Sequence, residues 1–137
     1  MTRSRNSYGL FLDLPGRVAD WRDKLEAALV AEGFGILTEI DVKATMKKKL
    51  GEDVPAQLIL GACKPPLAHK AMETEQDIAL LLPCNVTLRE LPEGGTRIGV
   101  MDVIGMMGMV ANPGLDPIGK EASACFERVL TALAAEA

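Results

Sequence analysis

Two long segments of the chain carry apolar residues at helical spacing. In the first, the apolar positions lie three, four and four residues apart, at Val18, Trp21, Leu25 and Leu29. In the second, which opens at Asp116-Pro117, they are Ile118, Ala122, Cys125, Val129 and Leu133. Such spacing places the apolar side chains on one face of a helix, where they can pack against a core. The pattern therefore predicts two long amphipathic helices, the first of which ends at Gly33.

Several shorter segments have the composition of β-strands. They are rich in apolar and β-branched residues and cover residues 7–12, 34–40, 57–62, 85–91 and 96–102. In the fourth, Val86 and Leu88 alternate with Thr87 and Arg89, so we expect one packed face and one face exposed to water. The last two segments flank a Pro-Glu-Gly-Gly turn and are predicted to form a hairpin.

The segments between these elements are short. Asp41 can cap a helix over Val42 to Leu50, and Leu67 to Met72 is predicted to be helical because it follows two prolines. Gly105 to Asn112 has no clear period and is interpreted as a mobile loop. Since no repeat or linker divides the chain, residues 1–137 are predicted to form a single domain. Its predicted class is α+β, an antiparallel sheet with helices packed on one face.

Composition narrows the class of protein. The chain has 137 residues, of which 48% are hydrophobic and 25% charged, which excludes a disordered chain. No apolar run approaches the roughly 18 residues that a membrane span needs, so we expect no membrane partner. The net charge of −4 and the pI near 5.0 argue against a nucleic-acid partner, because general polyanion binders usually carry a basic face.

The cysteines bear on the compartment. There are three, an odd number, in a chain large enough to fold without disulfides. The amino terminus is basic and lacks the long apolar stretch of a secretory signal. We therefore expect reduced thiols at Cys63, Cys84 and Cys125, and a cytoplasmic protein.

Two predicted turns carry residues that could bind a metal. Cys63 and His69 lie in and after the turn that ends one strand, and Cys84 lies beside Pro83 before the next. Two thiolates and an imidazole suit zinc, or copper if a methionine joins them. The spacing matches no standard zinc motif and shows no fourth ligand. The alternatives are buried structural cysteines, or a redox or nucleophilic thiol at Cys63.

The same turns, residues 63–69 and 83–85, are predicted to form the binding site of a metal ion or a small ligand. Cys63, His69, Cys84 and Asn85 are its candidate residues. Asp41 is a further candidate, as a polar wall at the end of the sheet, although it can equally be a plain helix cap. If the thiol were instead a nucleophile activated by His69, the orienting group could be Asp102 or Glu73.

Methionines cluster late in the chain, at Met101, Met106, Met107 and Met109. Thioethers ligate copper(I), but methionines beside glycine more often fill an irregular apolar gap or form an adaptable contact surface. We therefore expect packing, with a subunit contact or a ligand lid as the functional alternative.

Three blocks, AEGFGILTEIDVKAT from Ala31, ILGACKP from Ile59 and LPCNV from Leu82, together resemble the domain-of-unknown-function family numbered 302. The resemblance implies a small prokaryotic α+β domain with a TATA-binding-protein-like antiparallel sheet, dimeric, and with no established activity. The chain departs from the family pattern at Lys64, where asparagine is usual. It departs again at Asp102-Val103, where an Asp-Pro pair is usual.

The sequence thus supports three hypotheses about function. The first is a homodimeric module that binds a ligand or a metal through the two turns. The second is a thiol-based redox protein or enzyme that uses Cys63. The third is a structural or interaction protein whose segment from Met106 to Met109 packs on a partner.

Overall fold

A computed structural model describes all residues, 1–137, and its centre is one six-stranded sheet. The strands are β1 Thr2–Arg5, β2 Gly9–Leu14, β3 Gly35–Asp41, β4 Gln57–Cys63, β5 Cys84–Glu90 and β6 Thr96–Met101. Their order across the sheet is β1-β2-β6-β5-β4-β3, and every neighbouring pair is antiparallel. This arrangement confirms the α+β class.

Five α-helices complete the fold: α1 Val18–Ala31, α2 Val42–Leu50, α3 Pro65–Thr74, α4 Val103–Met109 and α5 Asp116–Ala134. Two short 3-10 helices, Ile78–Leu81 and Pro113–Leu115, precede β5 and α5. None of the helices combines the length and the hydropathy needed to cross a membrane.

The long helices α1 and α5 cover one face of the sheet. That face is built by alternate strand residues, of which Leu60, Val86 and Val100 form one row across β4, β5 and β6. All the residues of the two predicted helical stripes are buried, as the spacing requires. Gly33 ends α1 with a φ of +87°, a conformation that favours glycine. We call the other side of the sheet the open face.

Two elements differ from the sequence prediction. The segment predicted to be a mobile loop, Gly105 to Asn112, is helical up to Met109. The side chain of Asp102 caps this helix by accepting a hydrogen bond from the Gly105 backbone N–H at 3.1 Å, and Met106 and Met107 are buried. β1 was not predicted, because all its residues are exposed; backbone pairing with β2 holds it in place.

Close packing at the end of β4 depends on one glycine. A Cβ atom at Gly61 would lie 2.7 Å from Cγ of Pro83 and would overlap the Thr38 side chain. Only glycine therefore lets β3 and the segment before β5 approach β4 this closely. The approach brings Pro83 and Cys84 beside Cys63 at one end of the sheet.

A thiol-lined cavity beneath helix α3

A cavity of about 250 Å³ lies between this end of the sheet and helices α3, α4 and α5. Of its 17 lining residues, 15 are hydrophobic. Cys63 and Cys84 both line it, so we call it the thiol cavity. The structure thus brings together the two cysteines that the sequence analysis had placed in neighbouring turns.

The local sequence explains why space remains here. Pro65 and Pro66 start α3 immediately after β4, which turns the chain sharply over the end of the sheet. The residues of α3 that face the cavity, Leu67, Ala68, Ala71 and Met72, follow helical spacing. Two of these four are alanines, whose short side chains leave a gap that larger residues would fill.

The strand register places the two cysteines within one residue of each other at this end of the sheet. Ala62 of β4 pairs with Cys84 of β5, so Cys63 lies one residue beyond the paired position. Cys84 is buried, whereas Cys63 is half-buried. Burial, with a smaller contribution from the neighbouring Cys63, raises the pKa of the Cys84 thiol to about 11. Cys84 is therefore a neutral thiol at physiological pH, which makes it a poor nucleophile.

Two methionines also line the cavity, namely Met72 of α3 and Met107 of α4. Four sulfur-bearing side chains therefore face one apolar space. The sequence allowed a methionine to join the two thiols but did not indicate which one. The signal that could have indicated Met72 is its spacing of four residues from Ala68, which places both on one face of α3.

Lys64 is the only lining residue with a formal charge at neutral pH. Its stem lies against Gly33, where an added Cβ would be 3.2 Å from the Lys64 Cε. Its Nζ donates to Sγ of Cys125 at 3.4 Å, and Nη2 of Arg128 donates to the same sulfur at 3.4 Å. The Lys64 ammonium thus already has a partner outside the lining.

The other predicted site residues lie elsewhere. His69 is on the exposed side of α3, where its Nδ1 lies 3.2 Å from a carboxylate oxygen of Glu73. Asp41 caps α2 by accepting a hydrogen bond from the Ala44 backbone N–H at 2.9 Å. Asn85 follows Cys84 on β5 and belongs to the open face. Nowhere do three or more His, Cys, Asp or Glu side chains gather as a metal site would require.

Comparison with known proteins places the chain in a family. Residues 12–133 match the family described as "Domain of unknown function DUF302". The chain belongs to the DUF302 family. The match includes both turns of the thiol cavity and confirms the resemblance found in the three sequence blocks.

A solved structure shares the fold of this DUF302 domain. It is an uncharacterized conserved DUF302 protein from Bacillus stearothermophilus, 25% identical in sequence, with a TM-score of 0.84. The similarity covers 90% of this chain and 96% of that one. No curated protein matches the sequence.

The DUF302 domain has a second cavity, of about 490 Å³, on the open face. We call it the open-face cavity. The β1–β2 turn, β2, β5, β6 and α4 contribute to it, and its lining includes Tyr8, Phe11, Asn85, Thr87 and Asp102. Of the candidate residues of the sequence analysis, Cys63 and Cys84 therefore line one cavity and Asn85 lines the other, on the opposite face of the sheet, whereas His69 and Asp41 line neither.

Proposed function

We propose that this DUF302 domain is a binding module that takes a small, uncharged and largely apolar ligand into the thiol cavity. The observation that carries the proposal is the cavity of about 250 Å³ in which 15 of 17 lining residues are hydrophobic. Binding sites for small molecules are concave and mostly apolar, with few polar groups that orient the ligand. Here the thiols of Cys63 and Cys84 are those groups.

The volume limits the ligand. An apolar cavity of about 150 Å³ in a protein core stays dry and binds benzene. The thiol cavity is larger, at about 250 Å³, but smaller than most sites for drug-sized molecules, which start at roughly 300 Å³. A single substituted ring or a short branched alkyl group suits this volume.

The charge state of the lining favours a neutral ligand. The raised pKa keeps Cys84 protonated, so this thiol contributes no negative charge. The one charged residue, Lys64, donates to Cys125. Burying a charged ligand without a partner is costly, whereas removal of apolar surface from water contributes roughly 25 cal/mol per Å².

Toluene is the probe that tests this function. We expect it to shift the methyl NMR signals of Leu67 and Met107 in a saturable titration, because both residues line the cavity. Ala68→Leu, which adds a larger side chain to the lining, should abolish saturable binding. Ala44→Leu on the exposed side of α2 is the matched control and should bind toluene like the parent protein. Equal binding by the two variants would refute the proposal.

A soft monovalent metal ion is a second candidate ligand, which the four sulfur-bearing side chains favour. Thiolates and thioethers select copper(I), and two thiolates suffice for its linear coordination. Cys63 and Cys84 would supply the thiolates, with Met72 or Met107 beside them. The raised pKa of Cys84 opposes this candidate, since a metal must displace the thiol proton.

Anaerobic titration with copper(I) against a chromophoric chelator distinguishes the two ligands. If the metal is the ligand, one ion binds per chain, Cys63→Ser and Cys84→Ser abolish binding, and Met107→Leu weakens it. His69→Ala is the control, since His69 lies outside the cavity. If copper(I) is lost to the chelator equally from all these proteins, the metal candidate fails and the apolar ligand stands.

The exposed edge of the sheet supports the predicted homodimer. β3 pairs only with β4, and its Leu37 and Ile40 are exposed. An unpaired strand edge can add a strand from a second copy of the chain. In light scattering coupled to size exclusion we expect twice the chain mass, and Ile40→Lys should shift the mass toward the monomer. A monomeric parent protein at micromolar concentration would contradict this.

The three free thiols support the predicted cytoplasmic location. Cys63, Cys84 and Cys125 are all unpaired in the structure. Reduced thiols persist in the cytoplasm and are unusual in oxidising compartments. Fractionation of cells that produce the protein should therefore recover it with cytoplasmic markers, and recovery with an exported fraction would contradict the inference.

A further inference from the structure

The open-face cavity has a flat floor formed by glycine. A Cβ atom at Gly99 would lie 2.8 Å from Oγ1 of Thr87 and 3.0 Å from the Phe11 ring, and a Cβ at Gly9 would lie 2.8 Å from the same ring. The Phe11 ring therefore rests directly on the backbone at both glycines. Any other residue at Gly99 would push Phe11 or Thr87 out of place.

Aromatic and thioether groups surround this floor. Tyr8 and Met109 line the cavity and are both 72% exposed, so they form an apolar rim that stays open to solvent. Flat rings stack favourably on aromatic faces, and thioethers make favourable contacts with ring edges. The volume of about 490 Å³ lies within the range of small-molecule sites and accommodates one or two fused rings.

Most polar groups of the lining are uncharged, and the one charged group is a carboxylate, which accepts hydrogen bonds. Asn85 presents an amide with both a donor and an acceptor, and Thr87 presents a hydroxyl. Asp102 is the only lining residue with a formal charge. The Arg97 guanidinium lies over the Phe11 ring, 5.5 Å from its centroid, and donates to the Asp13 carboxylate. The Asp102 carboxylate accepts a hydrogen bond from the Gly105 N–H and lies 3.5 Å from the Arg5 guanidinium.

This charge pattern selects among flat ligands. A carboxylate or phosphate would meet an acceptor-rich lining whose nearest cations, Arg5 and Arg97, are already paired with carboxylates, and desolvating such an anion is costly. A ring with N–H donors would instead face acceptors at Asp102, Asn85 and Thr87. Donors that reach a carboxylate form the stronger class of hydrogen bond.

From these features we propose that the open-face cavity is a second binding site, which takes a planar nitrogen heterocycle with exposed N–H donors. The ring packs against Phe11 and Tyr8, and its donors face Asp102 and Asn85. This site is separate from the thiol cavity, because Asn85 and Cys84 are neighbours on β5 and neighbouring strand residues point to opposite faces. The inference stands whether or not the thiol cavity binds a ligand.

Adenine is the probe, and benzoate is the anionic control of similar flatness. NMR titration of the full-length protein should show saturable shifts at Thr87 and Gly99 with adenine and none with benzoate. Asn85→Ala should weaken adenine binding about fivefold through the loss of one hydrogen bond. Asp102→Asn should also weaken it while keeping the cap of α4, because asparagine caps helices as well as aspartate does.

Two further variants complete the test. Gln57→Ala changes a polar side chain of β4 outside the cavity lining and should leave adenine binding unchanged. Ala68→Leu fills the thiol cavity and should leave adenine binding unchanged too, which separates this proposal from the first. The proposal is overturned if adenine causes no saturable shifts, if benzoate binds equally well, or if Asn85→Ala and Asp102→Asn bind adenine like the parent protein.

Discussion

Phe34 and Phe126 stack with their ring centroids 4.7 Å apart and their planes inclined by 14°. The contact joins the residue just before β3 to the middle of α5, and Phe34 also lines the thiol cavity. One wall of the cavity is therefore part of the hydrophobic core.

Phe126→Ala should lower the free energy of unfolding by about 3–5 kcal/mol, because it removes a fully buried ring and leaves a cavity. Phe34→Leu keeps most of the buried volume and should cost about 1 kcal/mol through the loss of the aromatic pair. Urea unfolding measures both values. Equal, small effects would show that the stacked pair does not hold the cavity wall.

Stability should fall at alkaline pH because of Cys84. Its pKa is raised to about 11 in the folded protein, while an unfolded thiol ionises near about 8.5. The folded state binds this proton more tightly, so its contribution to stability is complete below the unfolded pKa and is lost as pH rises toward 11. Cys84→Ala should flatten the pH dependence of the unfolding free energy between these two pKa values. Cys125→Ala, which removes the other buried thiol, is the control variant. An unchanged slope in Cys84→Ala would contradict the raised pKa.

Stability should fall at acidic pH because of Asp13. Hydrogen bonds from the Arg97 guanidinium, at 2.6 and 2.9 Å, hold the pKa of this carboxyl below its usual range. The contribution is therefore present above the unfolded pKa and is lost as pH falls through the folded value. Asp13→Asn should reduce the loss of stability below pH of about 4 in thermal unfolding. The prediction fails if the variant and the parent protein lose stability in parallel.

Asp41 should act as a helix cap and not as a ligand. Asp41→Ala removes the acceptor of the Ala44 N–H and should destabilise the protein by about 1 kcal/mol. Asp41→Asn should recover most of this loss, since asparagine also caps. Toluene and adenine binding should be the same in both variants. A selective loss of binding at unchanged stability would assign Asp41 to a site.

The sequence predicted the fold well where one periodicity dominates. The apolar stripe from Val18 to Leu29 and the cap at Asp41 are confirmed at the predicted residues. The helix α4 was missed because its two glycines lower the helix propensity of the segment. Tertiary packing of Met106 and Met107 against the core overrides this low propensity, and such packing is not visible in the local sequence. β1 was missed because a fully exposed edge strand has no apolar alternation.

The candidate site was predicted only in part, and the errors have geometric causes. The two turns do bring Cys63 and Cys84 to one cavity. His69 lies two residues after Leu67, about 200° around the helix, and so points away from the cavity. Asn85 is one residue after Cys84 on a strand and so faces the opposite side. Sequence proximity shows which elements meet, but not which side chains face each other.

The most direct test of the thiol cavity as a binding site is the set of intermolecular nuclear Overhauser contacts of bound toluene. We expect contacts from the toluene protons to the methyl groups of Leu67, Val103 and Met107, which line the cavity from two helices. Contacts only to exposed side chains such as Leu80, which is 89% exposed, would mean surface adsorption and would contradict this expectation.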